Sequence, residues 1–160
     1  MSAPNPNWDR WILASVSDHF KINVQDVFSL KEFVEGQPRD TNKNKQWFEV
    51  RMDGPFCKEQ QKNQWLLVME INCLVSTSMD DFDFHTHRQN TGNVASGFES
   101  CINVYRYGDG PLDDQSLLGV LKLRKGLEGR VVTTHFGQID PIVKMQQTTI
   151  EGHYEMDLSV

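Results

Sequence analysis

The chain has 160 residues, 38% hydrophobic and 24% charged, which suits one domain with a hydrophobic core and leaves no apolar run long enough to cross a bilayer. Its formal net charge is −6 and its 16 lysines and arginines are scattered. That argues against a nucleic-acid-binding protein, which would neutralise phosphates with clustered basic side chains.

In chain order, residues 1–7 are polar, carry Pro4 and Pro6, and read as an extended arm with no secretory signal. Asn7 is placed to cap a helix over residues 8–22, with Asp9 in the first turn. Trp8, Trp11, Ile12, Val16 and Phe20 recur at helical spacing, with Asp9, Arg10, Ser17 and Asp18 largely opposite. Residues 22–33 fit no clean period. Residues 35–45, with Gly36 and Pro38, read as an exposed loop.

Residues 47–52 alternate, with Phe48, Val50 and Met52 on one face, and Asp53-Gly54-Pro55 reads as a turn followed by a polar loop over 58–63. Residues 64–78 form the longest strand pattern. Trp65, Leu67, Met69, Ile71, Cys73 and Val75 share a face, and Glu70, Asn72 and Ser76 share the other with Leu66, Val68 and Leu74. A second, partly apolar face predicts a strand that is either central or covered at one end by a partner, paired antiparallel with 47–52.

Residues 80–87, Asp-Asp-Phe-Asp-Phe-His-Thr-His, hold metal-ligand types, but no third ligand at fixed spacing and no helical His-x-x-x-His; they read as a solvated helix-entry loop. A second helix is predicted over 89–100, with Gly97 allowing close packing on the sheet. Strands follow at 102–107, 117–123 and 130–136, separated by Gly108-Asp109-Gly110-Pro111 and a turn over 125–129. Pro141 precedes the last strand, 147–158, whose even positions are mostly apolar (Ile150, Tyr154, Met156, Leu158) and whose odd positions are polar. The three cysteines are widely spaced. Cys73 and Cys101 read as small buried hydrophobes. Cys57 reads as exposed, with an intersubunit disulfide as a minor alternative.

The elements predict a single α+β domain with a mostly antiparallel β-sheet and two main helices packed on one face. No phosphate loop, dinucleotide fingerprint, nucleophile elbow or His-Glu-x-x-His motif is present. The reading is therefore a non-enzyme with no cofactor and no metal, acting through contact.

The order of elements resembles the tail terminator, or tail completion, proteins of long-tailed bacteriophages. The resemblance is carried by the arm and helix Asn7-Trp8-Asp9-Arg10-Trp11-Ile12-Leu13-Ala14-Ser15-Val16, the strand, turn and polar loop leading into residues 65–75, and the Ile102-Asn103-Val104 strand with its break. Phe136-Gly137-Gln138 and the closing Gln147-Thr148-Thr149-Ile150-Glu151-Gly152-His153-Tyr154 complete it. The resemblance covers most of the chain, and its motifs are structural. It implies a homohexameric ring at the head-proximal end of a tail, assembled in the host cytoplasm and carried in the virion. The implied partners are other copies of the chain, the tail tube protein, the head-tail connector or head-closure protein and, in a contractile phage, the sheath. DNA would pass through the lumen without specific binding, and no membrane is involved. The polar face of the last strand, Glu151, His153, Glu155 and Asp157, is the candidate interface or lumen surface. The alternatives are another neck, head-closure or baseplate ring subunit, or a cytoplasmic metal- or ligand-binding domain using the Asp80–His87 cluster.

Overall fold

The computed structural model describes residues 7–37, 44–62, 64–98, 101–107, 116–124, 131–138 and 145–157. The predicted arm at 1–6, the centre of the 35–45 loop, the Gly108–Pro111 break, the 125–129 turn, Pro141 and Leu158 lie outside the described residues. The tryptophan stripe forms α1 (Trp8–Phe20), and Trp8, Trp11, Ile12, Val16 and Phe20 are all buried. Asn7 contributes its carbonyl, which accepts from the Trp11 N–H at 3.0 Å; its side chain makes no capping hydrogen bond, contrary to expectation.

The helical run passes residue 22 through a π-helical turn (Lys21–Gln25) into the short α2 (Asp26–Phe28), and Ser29, at φ 56°, ends it. The wider turn rotates the buried stripe, which is why no single period fits this stretch. Val24 is buried while Ile22, Val27 and Phe28 face solvent.

Among the described residues seven strands form one sheet: β1 (Lys31–Val34), β2 (Gln46–Gln61), β3 (Gln64–Ser78), β4 (Cys101–Arg106), β5 (Ser116–Leu123), β6 (Val132–Gln138) and β7 (Met145–Asp157). The order is β1-β2-β3-β7-β5-β4, with β6 also paired to β7. The α+β class is as predicted. The sheet is mixed, because β1 joins β2 in parallel, while the other pairings are antiparallel. β3 is central, one of the two outcomes that its partly apolar second face predicts.

The predicted turn at Gly54 is instead a bulge inside β2. Gly54 takes φ +102°, and the register shifts between Asp53 and Phe56. The polar residues beyond it continue the ladder, since backbone pairing needs no apolar side chain. Gln61 pairs with Gln64, so the long loop is replaced by a tight reversal.

The second helix, α3 (Phe84–Ala95), starts and ends about one turn before its predicted position. Asp83 causes the shift. Its Oδ2 accepts from the Thr86 N–H at 3.0 Å and the Thr86 hydroxyl at 2.7 Å, an N-cap ahead of the buried stripe His87, Thr91 and Val94.

One core cluster joins α1 and α3 to the inner sheet face: Phe48 and Val50 of β2, alternate residues Leu67 to Val75 of β3, Ile102, Val104, Leu121, Ile150, Tyr154 and Met156. Gly97 packs against Phe20 and Val24 of the α1 extension rather than on the sheet. Gly152 makes room for Phe98, whose Cδ1 would lie 2.6 Å from an added Cβ.

Helix α1 also shields the free edge of β4. Ser15 Oγ accepts from the Tyr105 N–H at 2.9 Å, and Trp11 Nε1 donates to the Tyr107 carbonyl at 2.9 Å. Cys101, on the outward parity of β4, is exposed rather than buried as predicted; Cys73 is buried and Cys57 exposed.

Candidate functional site

The predicted interface residues lie on the odd, outer face of β7, and the structure divides them into two groups. Glu151 and His153 sit near mid-strand. Glu155 and Asp157 sit at the far end, beside Leu66, Val120 and Lys122. Glu155 is half-buried opposite Val68, with Lys122 of β5 as its neighbour on the other side; Asp157 is exposed opposite Leu66.

The inner group is where side chains converge. The β3–β7 register sets Glu70 directly opposite His153 and Asn72 opposite Glu151. All four lie on one face, because both strands alternate in step. His153 Nε2 lies 2.8 Å from Glu151 Oε1, and Asn72 Nδ2 donates to Glu70 Oε1 at 2.9 Å. The donor atoms of Glu70, Glu151 and His153 all fall within 4.8 Å of one another, and each residue is half-buried.

Beside this cluster opens a hollow of about 380 Å³ lined by Glu35, Asp53, Glu70 and Glu151, with Arg51 as its one cation among the described residues. Arg51 Nε is engaged by Glu49 Oε1 at 2.8 Å. The hollow is therefore dominated by carboxylates.

Strand pairing holds the cluster in place. β7 is paired along one side by β3, and its other side is shared between β6, opposite residues 146–151, and β5, opposite 154–155. His153 falls at the division, where its carbonyl accepts from the Arg124 N–H at 2.9 Å.

The Asp80–His87 cluster is dispersed instead. Asp83 is committed to the α3 cap, which with the Thr86 hydrogen bonds holds its carboxyl below the usual carboxylate range. His85 is exposed against Phe84. His87 turns inward, with Nε2 2.8 Å from Thr148 Oγ1. Thr148 Oγ1 also meets His135 Nδ1 at 2.9 Å, and His135 Nε2 contacts the Arg88 guanidinium.

In this chain of contacts Arg88 can only donate, so His135 Nε2 accepts and its Nδ1–H donates to Thr148 Oγ1, which also meets His87 Nε2. His87 Nδ1 is buried without a partner. The chain ties α3 to β6 and β7, and burial pushes the His87 imidazole below its ordinary range, helped by His135 and Arg88.

Glu70 and Asn72 were legible as the polar face of a long strand. Their meeting with Glu151 and His153 depends on an inter-strand register that no local pattern specifies. The chain matches no protein-family model and no curated protein. Among the described residues, no helix is long and apolar enough to cross a membrane.

Proposed function

We propose that this chain is a structural ring subunit of the tail-terminator type, closing the head-proximal end of a bacteriophage tail tube and offering a docking surface to the head-side connector. The observation that carries the reading is the unequal treatment of the sheet edges. Helix α1 covers the edge of β4, whereas β1 pairs only with residues 47–50 of β2. Among the described residues, no strand lies beside 51–61 of β2 on that side.

This open edge carries Phe56, which is 68% exposed. A second exposed apolar pair, Val132 and Phe136, lies on β6. Unlike sticky surfaces on one subunit, these among them, favour head-to-tail contacts, which close into rings when the rotation permits. The α+β architecture supports the reading, although the turn and polar loop that carry part of the resemblance are here one continuous strand, β2. The acidic balance suits a lumen that must let DNA pass without holding it.

The test is tube termination. Purified chain added to polymerising tail tubes is expected to cap their ends and stop growth. Tubes that elongate equally with and without the protein would overturn the proposal.

A further inference from the structure

We propose that Glu70, Glu151 and His153 form a binding site for a first-row divalent cation of the Zn2+ type, set into the outer face of the sheet between β3 and β7. This inference stands apart from the ring reading and rests only on the local geometry.

The donor set is mixed, one imidazole and two carboxylates, a combination that suits zinc and its neighbours rather than calcium or magnesium, which prefer oxygen donors alone. The donor atoms are already gathered within 4.8 Å. Ligands about 2.0–2.2 Å from a tetrahedral zinc stand roughly 3.3–3.6 Å apart, so rotamer adjustments of about an ångström complete the set. The backbone beneath is held by a continuous antiparallel register from Leu66↔Asp157 to Ser78↔Met145.

Charge points the same way. Two carboxylates are held close together on a half-buried face, and the adjoining hollow adds Glu35 and Asp53. Arg51, its one cation among the described residues, is engaged by Glu49. A divalent ion would neutralise the pair directly. Asn72 orients Glu70 from behind, as an outer-shell partner orients a metal ligand, and is a positioning residue. The open side of the cluster leaves the remaining coordination position to water.

Binding requires a free lone pair on His153 Nε2, the atom now 2.8 Å from Glu151 Oε1. The metal takes the place of the proton between them. That proton moves to Nδ1 of a neutral ring, or leaves to solvent from a doubly protonated one. Affinity therefore weakens in acid, as protons compete for the same donors.

The experiment is calorimetric titration of the chelator-treated full chain with ZnCl2 at neutral pH, with bound metal counted after dialysis. One ion per chain is expected. Stoichiometric binding is lost in His153→Ala and Glu151→Gln, and Asn72→Ala weakens it by about 10-fold. His85→Ala, at an exposed histidine elsewhere, binds like the wild type. Glu70→Gln and Glu151→Gln are isosteric and decide the matter should His153→Ala fail to fold. A wild type that retains no ion, or Glu70→Gln and Glu151→Gln variants that bind as the wild type does, would overturn the assignment.

Discussion

Ser17 Oγ donates to Glu32 Oε1 across 2.9 Å, from α1 to β1, onto a carboxylate that is only 6% exposed. The other oxygen, Oε2, is buried without a partner. Burial dominates over the Ser17 hydrogen bond and raises the Glu32 pKa from 4.5 to about 7, with Asp18 adding to the rise and Lys21 and Lys31 opposing it. The folded state thus holds this proton more tightly than the unfolded chain does. The stabilisation it brings is complete below pH 4.5 and disappears as pH climbs through about 7. The difference amounts to about 3 kcal/mol. Glu32→Gln keeps an acceptor for Ser17 and removes the ionisation. Urea unfolding at pH 8 is expected to show the variant more stable than the wild type, and the decline between pH 5 and pH 7 to flatten. An unchanged slope would contradict this role for Glu32.

His87 works in the opposite direction. Its imidazole is depressed in the fold, so its contribution is present above the ordinary histidine range and is lost as pH falls through the lowered value. In Glu32→Gln this acid-side loss remains, together with those of His135 and Asp83, whose pKa values are also lowered in the fold. Thr148→Val keeps the shape but strands His87 Nε2 without its partner, at a cost of about 1–3 kcal/mol. Denaturant midpoints test this, and a Thr148→Val variant as stable as the wild type would show that the His87–Thr148–His135 chain is not formed.

Gly152→Ala places a Cβ against Phe98 and Tyr154 in the core, where β7 has no slack because β3 pairs with it throughout. Overpacking of this kind costs about 1–3 kcal/mol. A lowered Tm, partly restored by Phe98→Leu, is the expected outcome; a neutral Gly152→Ala would mean that Phe98 packs elsewhere.

The inner faces were legible because they obey one period each. The α1 stripe and the alternation of β3 and β7 put Trp11, Phe20, Ile71, Ile150 and Tyr154 in the core, and all are buried. β1 was hidden because it is four residues long and places a buried glutamate where alternation calls for an apolar side chain. The outer half of β2 was hidden because Lys58, Glu59 and Gln61 pair through their backbones. α3 was displaced because the Asp83 cap outweighs the later glycines. Cys101 sits beside apolar residues in sequence, yet strand parity turns it outward. The Glu70–His153 pairing was beyond reach, since a register joining residues 83 positions apart leaves no trace in either strand alone.

The ring reading is tested most directly by the mass of the assembled protein in solution. Size-exclusion chromatography with light scattering, on the chain alone and after incubation with tail tubes, is expected to show a closed multimer of about six copies, dispersed by Phe56→Asp at the open β2 edge. A chain that stays monomeric under both conditions would contradict the account.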